Sequence, residues 1–267
     1  MKQKMSKKAA AEFIGSLRFE HRREPAIPQD LRPLDTDAGY RIQEEVVERL
    51  TGRFGGKPVG YKVACTNRLA QEFLGIRTPF YGRLLSSFFH SSPVRLKGGD
   101  FPMRLIETEF AFELAQDLPS KGSAYQVEEV SAATAAVIPA IEIVETCFTD
   151  WTVVGAPSLI SDNACHGAWI RGESFRAWKN LDLGAHEATL FVNGEGKLKG
   201  QGSAVLGHPL NSLTWLANAL IDHGKSLKKG DLVSTGVCTD VYYARPNDHI
   251  VADFGKIGAV ELIFVES

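Results

Sequence analysis

Three glutamates sit where the surrounding chain gives little reason for a carboxylate. In Arg104-Leu-Ile-Glu-Thr-Glu-Phe-Ala-Phe-Glu-Leu114 the even positions Ile106, Phe110, Phe112 and Leu114 are nearly all apolar, whereas Glu107 and Glu109 fall on odd positions. A strand sends alternate side chains to opposite faces, which predicts two carboxylates pointing the same way, ~7 Å apart along the backbone. Glu142 interrupts Val137-Ile-Pro-Ala-Ile-Glu-Ile-Val144, a run that otherwise reads as a buried strand. An isolated carboxylate is costly to bury, so Glu142 is expected to be neutral, paired or bound to a cation. Taken singly, a Glu-x-Glu strand also fits a solvated face, and Glu142 also fits an arginine partner. Three converging oxygen donors suit a hard divalent ion, Mg²⁺ or Mn²⁺.

The elements that must position these groups follow from periodicity and turn chemistry. Asp35-Thr-Asp37 is placed to cap a helix whose apolar positions Ile42, Val46 and Leu50 recur every four residues, ending before Gly52. Arg22 to Pro33 holds three prolines and reads as an irregular connection. After Pro58 the texture changes to short strands, beginning with Val59 to Cys65, where Lys62 shares a face with Gly60 and Ala64. Asn67 to Leu74 reads as a short helix, Thr78 to Gly82 as a turn-rich loop, and Val127 to Val137 as an alanine-rich helix. Glu187 to Gly194 reads as a strand entering a turn, and Gly194 to Gly200 as part of a hairpin. Pro209 opens a helix with Leu210, Leu213, Ala217 and Leu220 on one face, followed by strands near 232–235, 249–254 and 259–265. Helices and strands do not alternate regularly, so the expected class is α+β, mixed and mainly β with peripheral helices. The expected division is a helical N-terminal region, 1–57, and a metal-binding catalytic core, 58–267.

Composition narrows the partners. A chain of 267 residues, 44% hydrophobic and 23% charged, has the balance of a globular protein with a substantial core. A net charge of −2 and a pI near 6.4 provide no basic field for nucleic acid or an anionic membrane. The basic cluster Lys2 to Lys8 is expected to fray in solvent at a terminus. No apolar run approaches the ~20 residues of a membrane span, and no apolar signal core follows the first lysines. Cys65, Cys147, Cys165 and Cys238 are scattered, and read as reduced thiols of a cytoplasmic protein.

Other chemistries find less support. Gly224-Lys225-Ser226 echoes a phosphate loop, but Ala219 stands where the first glycine is required. There is no Gly-x-Ser-x-Gly elbow. Cys165-His166 offers a thiol beside an imidazole, yet neighbours on an extended segment face opposite ways. His208 before Pro209 fits a ligand or base, and equally fits packing at a helix start.

Gly60-Tyr-Lys-Val63, Leu74-Gly75, Pro79-x-Tyr-Gly82, Glu107-Thr-Glu109, Pro139-Ala-Ile-Glu-Ile-Val-Glu145, Asp162-Asn-Ala164, Gly202-Ser-Ala-Val-Leu-Gly-His-Pro209 and Trp215-Leu-Ala-Asn218 occur in this order. As an ordered set over about residues 36 to 265, they resemble the 2-keto-4-pentenoate hydratase and 4-oxalocrotonate decarboxylase group of the fumarylacetoacetate hydrolase superfamily. The resemblance implies a β-roll core that binds Mg²⁺ or Mn²⁺, and a cytoplasmic homo-oligomer acting on unsaturated 2-oxo acids from aromatic ring cleavage. It places the metal-binding glutamates at Glu107, Glu109 and Glu142, the active-site lysine at Lys62, and substrate contacts at Phe80, Asp162, Asn163 and Cys165. Hydratases of the group resemble one another in having an acid where this chain has Phe80; the decarboxylases look apolar there. Cys165 replaces a serine found in some members.

The implied chemistry is an electron sink. A 2-oxo carboxylate chelating the ion has its ketone polarised, which serves water addition, loss of CO₂ or C–C hydrolysis. Lys62, beside a cation and partly desolvated, is expected to have a lowered pKa and to relay protons; an exposed strand lysine is the bland alternative. The first expectation is a hydro-lyase on a 2-hydroxydienoate or its 2-oxo tautomer. A 2-oxo acid decarboxylase, an acylpyruvate-type hydrolase and a non-catalytic partner of a pathway enzyme follow in that order.

Overall fold

The computed structural model describes residues 2–266, with side chains from Lys7 onward. Its elements in chain order are α1 (Lys2–Phe19), α2 (Thr36–Phe54), β1 (Pro58–Ala64), α3 (Arg68–Phe73), β2 (Phe80–Leu85), β3 (Phe89–Ser91), β4 (Val94–Lys97), β5 (Leu105–Leu114), α4 (Val127–Ala132), β6 (Thr134–Val144), α5 (Ala156–Ser161), β7 (His166–Arg171), β8 (Glu187–Val192), β9 (Glu195–Gln201), α6 (Pro209–Asp222), β10 (Leu232–Val237), β11 (Tyr242–Tyr243), β12 (His249–Asp253) and β13 (Ala259–Val265). The large sheet runs β2-β1-β10-β5-β6-β7-β3, with β11 also pairing β5; the smaller runs β4-β13-β12-β8-β9. Most neighbours are antiparallel, while β1–β10, β3–β7 and β13–β4 are parallel. This is the α+β, mainly β class that the patterning implies.

The alternation in β5 decides which face becomes core. Ile106, Phe110, Phe112 and Leu114 join Ile141 and Ile143 of β6 and pack against Phe254, Val260, Leu262 and Phe264 from around the smaller sheet. Helix α6 closes this core with Leu213, Leu216 and Leu220. At 25 cal/mol per Å² or thereabouts, a fully buried side chain of this size contributes roughly 1.5–3 kcal/mol. Burying the even positions therefore leaves Glu107 and Glu109 on the other face of β5, whatever their own cost.

A second core lies against the site from the N-terminal side. Ile14 and Leu17 of α1, Ile42, Val46 and Leu50 of α2 and Leu159 and Ile160 of α5 gather with Phe80, Leu85 and Cys165. Asp35 caps α2, its side chain accepting from the Ala38 amide at 2.7 Å. The basic N-terminal cluster is helical in backbone from Lys2, and Lys7 pairs with Glu45 at 2.9 Å. The side chains of Lys2 and Lys4 lie outside the described residues.

Three local expectations differ from the structure. Helix α2 runs through Gly52 to Phe54 and ends at Gly55, whose backbone at φ 75° and ψ −169° is open to glycine and not to other residues; a glycine inside a helix is disfavoured but tolerated. The alanine-rich segment is helical only through Ala132; Thr134 onward belongs to β6, whose ladder to β5 extends to the Leu114–Thr134 pair. Alanine's helix propensity is weak beside a run of strand pairings. Phe80 to Gly82 is strand, since β2 pairs with β1 from Ala64–Phe80 onward.

Candidate active site

Glu107 and Glu142 stand directly opposite each other on β5 and β6, and Glu109 lies one same-face step along β5, opposite Ala140. One carboxylate oxygen from each of the three falls within 4.8 Å of the others. Glu109 and Glu142 are fully buried, and Glu107 is half-buried. Burial, and then the charges of Glu142 and Glu107, hold the Glu109 carboxyl well above the usual carboxylate range. Burial also raises Glu107, against the opposing pull of Lys62. Glu109 Oε1 has no hydrogen-bond partner, and Glu142 Oε2 has none beyond an ion pair with Lys62. Carboxylate oxygens so crowded, buried and under-satisfied are what a hard divalent cation would satisfy, so the residues present fit a metal.

Lys62 rises from β1 into the same place. Its Nζ donates to the Ala164 carbonyl at 3.0 Å and lies 3.3 Å from Glu142 Oε2, with only 2% of the side chain exposed. Burial pushes its pKa down, but Glu142, Glu107 and Glu109 outweigh that and raise it above the ordinary lysine value. The expected lowering is therefore not seen, because it presumed a neighbouring cation, and the protein itself surrounds Nζ with carboxylates.

The Ala164 carbonyl is aimed by an unusual loop. Asn163, Ala164 and Cys165 all have left-handed backbone, with φ of 50°, 53° and 60°. Non-glycine residues pay for this conformation, so other contacts must impose it. Asn163 does so by bracketing Arg83, accepting from its amide at 2.7 Å and donating to its carbonyl at 2.9 Å. Gly82 lets the loop come this close, since a Cβ there would lie 2.4 Å from the Asn163 carbonyl oxygen. Asp162 accepts from Arg18 Nε and Thr146 Oγ1, each at 2.7 Å, and from the Cys147 amide at 2.9 Å. Asp162 and Asn163, expected as substrate contacts, have these partners within the protein and are not among the residues lining the neighbouring cavity. Their side chains are engaged in shaping the loop.

A cavity of about 400 Å³ reaches the cluster at Glu107 and Lys62, within the ~300–1,000 Å³ usual for small-molecule sites. Lys62, Glu107, Phe80 and Cys165 all line it. Phe80 is thus part of the cavity wall. The Cys165 thiol is pushed up to about 12, chiefly by burial and then by Asp162. A thiol held so high is a poor nucleophile at neutral pH, and the Cys165–His166 pairing weighed from sequence does not form an activated thiol.

Four residues escaped the sequence reading. His166 Nδ1 lies 3.1 Å from Glu142 Oε1, within hydrogen-bonding distance. Burial lowers the imidazole pKa, although Glu142 opposes this. Trp169 Nε1 donates to Ser234 Oγ at 2.9 Å, and Ser234 in turn donates to Glu109 Oε2. These contacts orient the carboxylates. Thr66 lines the cavity, and its buried Oγ1 has no partner. Gly236, at φ 104°, leaves room for that hydroxyl, because a Cβ would lie 2.0 Å from it. A serine and a tryptophan at strand positions and a threonine in the connection after β1 carry no local signal, whereas His166 was visible only as the neighbour of a cysteine. His208 is the cap of α6, its Nδ1 accepting from the Leu210 amide at 3.1 Å.

A cluster of acids and one lysine at the floor of an apolar cavity is the arrangement of a small-molecule enzyme. Residues 74–264 match the fumarylacetoacetate (FAA) hydrolase C-terminal family, and the chain belongs to it. Its relatives are enzymes. It is 31% identical to 2-hydroxyhexa-2,4-dienoate hydratase of Comamonas testosteroni, over 87% of this chain and 88% of that one. It is 30% identical to 4-oxalocrotonate decarboxylase of Pseudomonas putida, over 96% of each. A solved 4-oxalocrotonate decarboxylase from Pseudomonas putida, complexed with magnesium and adipate, superposes with a TM-score of 0.91 at 27% identity, over 98% of each chain. No helix among the described residues is long and apolar enough to cross a membrane.

Proposed function

We propose that this chain is a divalent-metal-dependent hydro-lyase that adds water to 2-hydroxy-2,4-dienoic acids or their 2-oxo tautomers. The observation that carries the reading is the convergence of Glu107, Glu109 and Glu142 within 4.8 Å, beside buried Lys62, with Glu107 and Lys62 reaching the cavity. The three glutamates would hold Mg²⁺ or Mn²⁺. When bound, such an ion supplies electron withdrawal at the 2-oxo group and stabilises negative charge that develops there. Lys62 Nζ holds and transfers the proton at the substrate, with the Ala164 carbonyl fixing its direction. Phe80, Met103 and Val144 form apolar wall that limits stray solvent. With no acid at position 80, the unpartnered Thr66 hydroxyl is the group assigned to orient the attacking water. The working form is a cytoplasmic homo-oligomer, alone or paired with a pathway enzyme, and its partner is a small molecule.

A second reading, decarboxylation of a 2-oxo acid, is favoured by Phe80 on the cavity wall and by the decarboxylase relative. Incubating the Mg²⁺-loaded protein with 2-hydroxypenta-2,4-dienoate and with 2-hydroxymuconate separates them. A 4-hydroxy-2-oxo acid supports hydration, CO₂ release the second reading, and two carboxylic fragments a C–C hydrolase. No turnover of either compound counts against an enzymatic role and for a partner subunit.

A further inference from the structure

We infer that the site selects monocarboxylic 2-oxo or 2-hydroxydienoic acids whose distal end is alkyl or aryl, and rejects those bearing a second carboxylate. The inference rests on the reading that the site takes a 2-oxo acid. Among the residues lining the cavity, Lys62 is the one that carries positive charge, and it already faces Glu142 at the glutamate end. The remaining lining charges are acidic, Glu107 and the exposed Asp240. Arg68 stands nearby on α3, but it is not part of the lining and pairs with Glu72 at 2.6 Å. An ionised group at the far end would therefore lose water without gaining a partner, and would meet like charge.

The far wall is apolar instead. Leu69 and Phe73 sit four residues apart on one face of α3 and are 76% and 58% exposed. This helix buries none of its residues, so these two side chains add nothing to the protein's own core. Phe73 meets Trp151 with ring centroids 5.8 Å apart, and both line the cavity along with Val241, itself 42% exposed. Apolar surface gathered at a cavity mouth, and not used in folding, fits a ligand's apolar tail. The consequence bears on the reaction. Loss of CO₂ from a conjugated 2-oxo diacid breaks the bond to its distal carboxylate and sends that electron pair through the double bonds to the keto oxygen. A site that refuses the distal carboxylate leaves that step without a substrate.

The test measures binding to the Mg²⁺-loaded full chain by calorimetry, using pyruvate, 2-oxohexanoate, 2-oxooctanoate and 2-oxohexanedioate. None has the conjugated double bond needed for turnover. The expected result is that 2-oxohexanoate binds at least ~10-fold more tightly than 2-oxohexanedioate. 2-Oxooctanoate should bind about tenfold more tightly again, since it adds two methylenes and each, when buried, is worth about threefold to fourfold. Phe73→Arg, at an exposed position, should narrow the gap between hexanoate and hexanedioate. Equal binding of those two acids, or tighter binding of the diacid, overturns the inference while pyruvate binding keeps the 2-oxo acid reading intact. Failure of all four, pyruvate included, overturns both.

Discussion

At the scale of single residues, the site is a balance of like charges held by one lysine and a few hydrogen bonds. Glu142 is central, because Lys62, His166 and the other two glutamates all face it. Glu142→Gln removes a ligand charge and preserves shape; Mg²⁺ affinity should fall by at least ~10²-fold with the fold retained, as read by calorimetry and circular dichroism. Unchanged affinity would move the metal elsewhere. Lys62→Met should lower turnover by ~10²-fold or more, while the affinity for a 2-oxo acid changes far less, because the ion and not the lysine is its main anchor. A rise in KM with normal kcat would instead make Lys62 a binding group.

At the scale of elements, the loop between α5 and β7 is what converts an ordinary sheet into this site. Asp162 is tied to Arg18 of α1, so the N-terminal helix props the loop that carries the Ala164 carbonyl. Arg18→Ala leaves Asp162 buried and short of its cation, and should cost about 3–5 kcal/mol of stability in urea unfolding. Activity should fall as well, since Lys62 loses its acceptor when the loop relaxes. Full stability in this variant would show that α1 is not needed as a prop. The same loop explains what could and could not be read in the chain. Glu142 was legible because it breaks an apolar run, and Glu107 and Glu109 because they share one face of an alternating strand, which are local signals. The capped helix at Asp35 and the helix opening at Pro209 were legible for similar reasons. Asp162 and Asn163 stood out too, but their roles depend on Arg18 and Arg83, partners 144 and 80 residues away. The end of α4 at Ala132 was lost because strand pairing with β5, not local propensity, decides it.

At the scale of the whole molecule, burying three carboxylates beside one lysine works against folding when no cation is present. Burial holds the Glu107 and Glu109 carboxyls above their ordinary range, which disfavours their ionised forms, and a cation that binds only the folded state offsets this. At 100 times its dissociation constant such an ion adds about 2.7 kcal/mol, or roughly 5–10 °C in Tm for a chain of this size. Mg²⁺ or Mn²⁺ should therefore raise Tm for the unmodified protein and scarcely at all for Glu142→Gln, by differential scanning fluorimetry. A metal-independent melting curve would count against the centre.

Cys65 and Cys165 stand at that cavity, and burial pushes each thiol up to about 12. At pH 8 only roughly one molecule in ten thousand would carry a given thiolate, the form that reacts with disulfides, peroxide and maleimides. The protein should thus endure aerobic handling without added reductant. Its native-state count with Ellman's reagent should stay near zero over minutes, and all four cysteines should react once guanidinium unfolds the chain. A ligand pocket can in this way hold sulfur without offering it to oxidants that reach the cavity.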